Sequence, residues 1–286
     1  MLFARSARVI FKSNKVAIDI DGVHCKFYTF GDSFKPSGEL SNFVACVFCR
    51  YMFRSCHPSK SKKHYFFSSI GDDLLKDRSM INFSACFDGA SLARPVHTCD
   101  LLFFPIVKSR HWVVFVIDLK SERFVFLDSL YDEESFYHAE LRPKLISNFS
   151  LAWNLYVQDH SIDFNRFSVI YPPVPKQNNR FDCGIFALKF MEIWGPRVLL
   201  RNIFFPERYT QFEDSVNEQN ALLSYMKILN EHGRTCRTIW WSFSSNSYAG
   251  IVFAPLENFL ERILNRRTED SETDTKKEVQ KIQNKN

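Results

Sequence analysis

The sequence predicts an α+β fold in which a central β-sheet is flanked by helices. Three consecutive runs of β-branched and aromatic residues, at 101–107, 112–118 and 123–128, predict central strands that are buried on both faces. Helical segments precede and follow these runs. One of them, at 183–193, is apolar on nearly every side, so we expect it to lie inside the core.

The segment before the sheet is predicted to hold one strand and one helix. An N-terminal arm over 1–15 leads into a strand at 16–20. A helix begins near Ser41 or Asn42, which are both good N-caps, and continues to Met52. One face of this helix is expected to be buried, and it comprises Phe43, Val44, Val47, Phe48 and Tyr51.

Several cysteines fall within and just after this helix. Cys46, Cys49, Cys56 and His57 superficially resemble a set of zinc ligands. Cys46 and Cys49 lie inside an apolar helical run and no second C-x-x-C pair follows, so we interpret them as small buried hydrophobic residues. The segment HPSKSKKH at 57–64 is then predicted to be an exposed, basic loop.

The region between the three strands and the apolar helix is predicted to contain both helical and strand segments. We expect a helix over 133–148, a strand over 152–158 and a second strand over 167–170. The sequence YPPVP at 171–175 then interrupts regular structure, because proline fixes its backbone angle and lacks an N–H donor.

The C-terminal part completes one domain and ends in a polar tail. Asp182 is predicted to cap the apolar helix, which ends before Gly195 and Pro196. Two further helices are expected at 213–231 and 256–264. The resulting plan has three parts: the arm over 1–15, one domain over 16–264, and a charged, disordered tail over 265–286.

The composition of the 286 residues is that of a globular protein, with 45% hydrophobic and 24% charged residues. The net charge of +5 is spread along the chain, which argues against nucleic-acid binding, and no apolar stretch approaches the roughly 18 residues of a membrane span. Arg5 and Arg8 exclude a secretory signal, so the cysteines are expected to be reduced. We expect a nuclear or cytoplasmic protein; an organelle transit peptide in the basic N-terminal arm is the alternative.

Four side chains could act together in catalysis: His111, Asp128, Gln177 and Cys183. Each alone has an ordinary structural explanation. In the predicted hairpin, a turn centred between Lys120 and Ser121 places Asp128 opposite Val113 and makes His111 its diagonal neighbour on the same face. Asp128 can then accept a hydrogen bond from His111, which fixes the tautomer and leaves the other ring nitrogen as a base.

Cys183 and Gln177 supply the remaining parts of an acyl-transfer site. Cys183 stands at the first turn of the apolar helix, where free backbone N–H groups and the helix dipole favour a thiolate. The charge of Asp182 opposes the thiolate unless its carboxylate is turned toward the backbone donors. Gln177 lies 183 − 177 = 6 residues before the cysteine, so an extended loop can fold its amide back beside the Cys183 backbone N–H as an oxyanion hole.

The segments SRHWVVFVIDLKSERFVFLDSL and PVPKQNNRFDCGIFALKFME resemble the catalytic core of the ubiquitin-like-protein-specific cysteine proteases of the SUMO/sentrin-specific type. The resemblance is strong over 100–194 and faint over 34–56. It rests on His111 followed by Trp112, on the 128 − 111 = 17 residue spacing to Asp128, and on QNNRFDCG. It implies a papain-like cysteine protease fold, with a central mixed sheet flanked by helices and the nucleophile at the N-terminus of a buried helix.

The resemblance also implies roles for the four side chains. His111 would be the general base, Asp128 its orienting partner, Cys183 the nucleophile and Gln177 the oxyanion donor. The implied activity is cleavage after the C-terminal glycine of a SUMO-like modifier, with the modifier and its conjugates as partners. Cysteine nucleophile chemistry needs no metal or organic cofactor, and we expect a monomer that requires neither nucleic acid nor a membrane.

One segment departs from the family pattern. Members that process SUMO carry a Trp in a Trp-Leu-Asn-Asp-like motif that helps to clamp the diglycine tail, whereas the corresponding stretch here is GELSN. Glu39 stands where that Trp would be, and Trp112 alone could line the substrate channel. The departure favours one alternative, a module that binds a ubiquitin-like protein or another partner but turns over poorly. A second alternative is an acyltransferase that uses the same His111 and Cys183.

Overall fold

The computed structural model describes residues 14–34, 37–77, 83–157 and 160–195. Most of the predicted N-terminal arm, both predicted C-terminal helices and the predicted tail lie outside the described residues. Within these four ranges, no helix combines the length and the hydropathy needed to cross a membrane.

The described residues form two sheets and seven helices. The strands are β1 Val16–Ile20, β2 Val23–Lys26, β3 Lys63–Tyr65, β4 Leu101–Lys108, β5 His111–Asp118, β6 Arg123–Leu127 and β7 Ser168–Ile170. The helices are α1 Phe27–Phe34, α2 Asn42–Ser55, α3 Pro58–Ser61, α4 Ser68–Leu74, α5 Ser84–Ala93, α6 Phe136–Tyr156 and α7 Cys183–Ile193. Short 3-10 helices lie at Val96–Thr98 and Phe164–Arg166.

The larger sheet has five strands in the order β3-β4-β5-β6-β7, and β1 pairs with β2 in a separate hairpin. The two inner pairs of the larger sheet, β4–β5 and β5–β6, are antiparallel. The two outer pairs, β3–β4 and β6–β7, are parallel. The mixed sheet flanked by helices confirms the predicted fold class, and all three predicted central strands are present within one or two residues of their expected bounds.

Helices cover both faces of the five-stranded sheet. On one face, α2, α7 and the β1–β2 hairpin pack against Val114 and Val116 of β5. On the other face, α4, α5 and α6 pack against Val113 and Phe115. Because successive side chains of a strand point to opposite faces, β5 is buried along its whole length and separates the two cores.

α7 confirms the prediction of a buried helix at 183–193. Every residue from Cys183 to Met191 is buried, and the ammonium of Lys189 within this stretch is paired with Glu192, at 3.0 Å between Nζ and Oε2. At Gly184 the backbone of α7 closely approaches the segment before α2. A Cβ at this position would lie 2.2 Å from the Cβ of Leu40, so only glycine allows the contact.

The predicted strand over 152–158 is wrong, because α6 continues to Tyr156. Ala152 and Trp153 extend the buried stripe of Leu145 and Phe149 at helical spacing, and this shared apolar face outweighs local strand propensity. The helix also begins later than the predicted residue 133. Its first residue is Phe136, and Ser135 is the N-cap, whose side chain accepts a hydrogen bond from the His138 N–H.

Two further predictions are wrong in the segment 41–65. Phe43 is 66% exposed, because the buried stripe of α2 passes through Val44, Val47, Phe48 and Tyr51, and Phe43 lies beside that stripe. The segment 57–64 is not a simple exposed loop. It forms α3 and the start of β3, where His64 is buried through pairing with β4.

Candidate active site

His111 and Asp128 are hydrogen-bonded at one end of the central hairpin. The β5–β6 register pairs Val114 with Leu127, which is the register that the predicted turn requires. The Nε2 atom of His111 lies 2.8 Å from Oδ1 of Asp128, and both side chains are buried. Because a carboxylate only accepts, Nε2 carries the hydrogen and Nδ1 is the nitrogen left for a reaction partner.

Both oxygens of the Asp128 carboxylate are hydrogen-bonded. Oδ1 also accepts the backbone N–H groups of Leu130 and Tyr131, at 2.7 and 3.0 Å. Oδ2 accepts from Nε2 of His138 at 2.8 Å. Burial alone would raise the pKa of Asp128, but the hydrogen bonds from His111 and His138 outweigh burial and hold that pKa well below its usual range. The carboxylate therefore stays ionised at neutral pH.

The hydrogen bonds of His111 determine its charge. Burial alone would lower the pKa of His111, but the hydrogen bonds to Asp128 and to Cys183 outweigh burial and raise the pKa to about 9. His111 is therefore a cation at neutral pH, and it lies beside the sulfur of Cys183. A positive charge next to a cysteine sulfur is the arrangement that activates a thiol as a nucleophile.

Cys183 is the first residue of α7 and is 2% exposed. Its Sγ lies 3.9 Å from the carbonyl oxygen of Arg110, at the limit of a weak sulfur hydrogen bond. Asp182 occupies the N-cap position, but its side chain makes no capping hydrogen bond. Its Oδ2 instead accepts from Nδ2 of Asn179 at 2.6 Å, so the carboxylate is turned toward the preceding loop and not toward the helix donors.

Gln177 is fixed beside the end of β6. Its Oε1 accepts from the Ser129 hydroxyl at 2.6 Å, and its backbone N–H donates to the Ser129 carbonyl at 2.8 Å. Its Nε2 donates one hydrogen to the carbonyl of Asn179 at 2.7 Å. A side-chain amide has two N–H groups, so the second remains for another acceptor. Ser129 directly follows Asp128, so the same strand end anchors Gln177 and His111.

Of the two residues predicted to bind substrate, Trp112 lies in β5 and Glu39 lies in the segment before α2, which contacts the start of β5. Glu39 forms a bidentate ion pair with Arg110, whose Nε donates to Oε2 at 3.1 Å and whose terminal nitrogen contacts Oε1. Trp112 is only 3% exposed, and its indole N–H donates to the carbonyl of Leu40 at 3.2 Å. Both contacts hold the segment 39–40 against the hairpin, and the roles of Glu39 and Trp112 in substrate binding stay predictions.

Two further residues of this site, His138 and Ser129, were not predicted from the sequence. His138 occupies the same face of α6 as Leu141 and Leu145, with the spacing i, i+3, i+7, so a histidine on a buried helical stripe was the available signal. Ser129 carries no comparable pattern, since its role depends on the loop that returns Gln177 to the end of β6.

The other cysteines have surroundings unlike those of Cys183. Every cysteine in the described ranges is a free thiol. Burial raises the pKa of Cys25 to about 12 and that of Cys99 to about 11, which is typical of inert packing thiols. No group of three or more potential metal-ligating side chains occurs within the described part of the chain.

The mixed sheet, the buried helix that begins at Cys183 and the histidine–aspartate pair beside it define a class, the papain-like α+β domain of cysteine peptidases. Residues 45–201, more than half of the chain, match the family model described as Ulp1 protease family, C-terminal catalytic domain. The chain belongs to the Ulp1 protease family.

Named relatives agree with this family. The chain is 28% identical over 141 residues to Ubiquitin-like-specific protease 1A of Arabidopsis thaliana, a match that covers 47% of this chain and 26% of the relative. It is 29% identical over 165 residues to a sentrin-specific protease of Caenorhabditis elegans, covering 56% of this chain and 21% of the relative. The chain therefore spans about a quarter of the length of these curated relatives.

Solved structures support the fold. The C-terminal Ulp1 protease domain, solved in complex with Smt3, the yeast ortholog of SUMO, aligns with a TM-score of 0.55 at 16% identity. The alignment covers 78% of this chain and 94% of that domain. A SUMO protease Ulp1 with its catalytic cysteine oxidised to a sulfenic acid aligns with a TM-score of 0.54 at 17% identity, covering 78% and 94% of the two chains. At these identities the likeness shows a common fold.

Proposed function

We propose that this chain is a cysteine-type peptidase and isopeptidase that cleaves after the C-terminal glycine of a SUMO-like modifier. The observation that carries the proposal is the buried His111–Asp128 hydrogen bond beside Cys183 at the start of α7. Membership of the Ulp1 protease family supports the reaction class. The names of the relatives, ubiquitin-like-specific and sentrin-specific proteases, support the class of substrate.

The first half-reaction forms a thioester. The Cys183 thiolate attacks the carbonyl carbon of the terminal glycine, and the carbonyl electrons move onto oxygen. The free N–H of the Gln177 side chain and the Cys183 backbone N–H would stabilise this oxyanion. The oxyanion then reforms the carbonyl and expels the amine, which takes a proton from the His111 imidazolium as it leaves.

The second half-reaction releases the modifier. Neutral His111 takes a proton from water, and the resulting hydroxide attacks the thioester carbon. The carbon–sulfur bond breaks, which restores the Cys183 thiolate beside a protonated His111. Asp128 keeps its hydrogen bond to Nε2 throughout, so Nδ1 remains the nitrogen that exchanges protons.

The test uses the full chain and a panel of ubiquitin-like modifiers that carry a C-terminal electrophile, with the products weighed by intact mass spectrometry. We expect one covalent adduct with a SUMO-like modifier and none in Cys183→Ala. Cys99→Ala is the matched control, because Cys99 is a buried thiol just before Leu101, whereas His111 pairs with Lys108 at the opposite end of β4, and this variant should react like the parent. Absence of any adduct from the folded chain would contradict the proposal.

The burial of Cys183 favours one alternative, a module that binds a ubiquitin-like protein without efficient turnover. With only 2% of the residue exposed, a substrate carbonyl reaches the sulfur only if neighbouring groups move aside. The two functions are separated by calorimetry, which measures the affinity for a ubiquitin-like modifier that carries no electrophile. Binding without adduct formation would indicate the module, and binding together with an adduct would indicate the peptidase.

A further inference from the structure

A second histidine contacts the carboxylate that orients His111. His138 lies in the first turn of α6 and is fully buried. Its Nε2 is 2.8 Å from Oδ2 of Asp128, the same distance that separates His111 from Oδ1. Asp128 therefore lies between two imidazoles, one on β5 and one on α6.

The hydrogen bonds of Asp128 are divided unequally between its oxygens. Oδ1 accepts from His111 and from the backbone N–H groups of Leu130 and Tyr131. Among the donors in the described ranges, His138 is the one that reaches Oδ2. Removing the His138 imidazole would leave Oδ2, a buried and charged oxygen, without its donor. The carboxylate would then be held only by the hydrogen bonds that Oδ1 accepts, so its plane could turn.

Packing alone does not account for an imidazole at this position. The ring is surrounded by three aromatic side chains, with centroid distances of 5.7 Å to Phe126, 5.4 Å to Tyr137 and 4.8 Å to Tyr171. Its Nδ1 is buried, and no hydrogen-bond partner within the described residues reaches it. An apolar ring would fill this space without the cost of burying a polar nitrogen. The hydrogen bond to Asp128 is thus the contribution specific to histidine.

We propose that His138 is a positioning residue, which holds the Asp128 carboxylate so that His111 keeps Nε2 protonated and presents Nδ1 to Cys183. The inference deepens the proposed function by adding a residue to the same site. Besides His111, two cations lie near this pair, and each is paired with a carboxylate. Lys176 donates from Nζ to the Asp128 backbone carbonyl at 3.2 Å and pairs with Asp132, and Arg142 lies over the Tyr171 ring and pairs with Glu133.

The test compares His138→Leu with His138→Gln, whose amide keeps an N–H donor in place of Nε2. The rate of Cys183 alkylation by iodoacetamide is measured against pH, and kcat and KM are measured with a modifier substrate. In His138→Leu we expect kcat to fall about tenfold at unchanged KM and the acid limb of alkylation to move up by about one pH unit, because a carboxylate without its Oδ2 donor can turn and no longer holds the His111 cation beside the sulfur. His138→Gln should bring kcat and the acid limb of alkylation most of the way back to the parental values. His64→Leu, which removes another buried imidazole, should change neither kcat nor the acid limb.

A folded His138→Leu variant with the parental acid limb and kcat would overturn the proposal. If that variant fails to fold, nitrogen NMR of the parent decides, because the proposal requires hydrogen on Nε2 of His138 and a tautomer with hydrogen on Nδ1 contradicts it. Alkylation by iodoacetamide needs no modifier. A changed alkylation profile in a chain that cleaves none of the tested modifiers would therefore support the role of His138 while rejecting the proposed function.

Discussion

The two halves of the candidate site differ in how firmly they are held. The His111–Asp128 half is enclosed by the sheet and α6, and every carboxylate oxygen has a donor at 3.0 Å or less. The Cys183 half has one weak contact at 3.9 Å to the Arg110 carbonyl and the neighbouring His111. The fold thus orients His111 in advance through Asp128, whereas among the described residues the Cys183 sulfur has only the His111 imidazole and one weak contact to hold it.

The largest effect is expected from Asp128→Asn, which breaks the rigid half. An asparagine has one acceptor oxygen, so either His111 or His138 loses its acceptor and His111 is no longer held in one tautomer. We expect turnover to fall by about 10³- to 10⁴-fold, measured with the modifier substrate. Asp118→Asn is the matched control, since Asp118 is equally buried on β5 but accepts from the Ser121 N–H, and it should retain activity. Similar losses in both variants would indicate general damage to the sheet.

The next effect concerns pH and tests whether His111 is charged in the folded state. Its pKa of about 9 lies above the ordinary value of about 6.5, so its stabilising contribution is complete below about pH 6.5 and is lost as pH rises through about 9. The free energy of unfolding from urea titrations should therefore decrease over this window, by about 3 kcal/mol at most. His111→Gln should flatten this dependence. An equal pH dependence in His111→Gln would mean that other groups cause it.

A smaller effect is expected where the two halves meet, at Gln177. Its amide is fixed by the Ser129 hydroxyl and donates one hydrogen to Asn179. Gln177→Ala should lower kcat by about 10²-fold if the second N–H stabilises the oxyanion. Ser129→Ala sharpens the test, because it keeps the amide but loosens it and should cause a smaller loss of kcat. Unchanged kcat in Gln177→Ala would remove this residue from the site.

The smallest effect is expected at the exposed edge of the cysteine half. Arg110 is solvent-exposed, so its ion pair with Glu39 is screened by water and salt. Arg110→Ala should leave the midpoint of urea unfolding unchanged and leave alkylation of Cys183 by iodoacetamide within about twofold of the parent. The atom of Arg110 that contacts the sulfur is the backbone carbonyl oxygen, and the substitution keeps this atom. A large change in alkylation would show that the side chain itself controls access to Cys183.

The sequence predicted the parts of the molecule that depend on short-range patterns. The three central strands and α7 follow from apolar runs, and the His111–Asp128 contact follows from strand pairing across a short turn. The errors lie where tertiary packing decides the outcome. α6 continues through Trp153 because a long stripe faces the core, and His64 is buried because β3 pairs with a strand far along the chain. His138 was missed because its partner, Asp128, belongs to another element.

The strand register described for β5 and β6 has a consequence for length variation. An insertion of one residue within either strand would turn His111 or Asp128 to the α7 side of the sheet, because side chains alternate between faces. The chain between Asp128 and Gln177 contains α6 and β7, which are fixed by the core and by pairing with β6, but the segments 160–163 and 171–176 outside them are irregular. Proteins with the same site should therefore keep the interval from His111 to Asp128 and tolerate insertions in these irregular segments, so the first interval can be used to select homologues by its length.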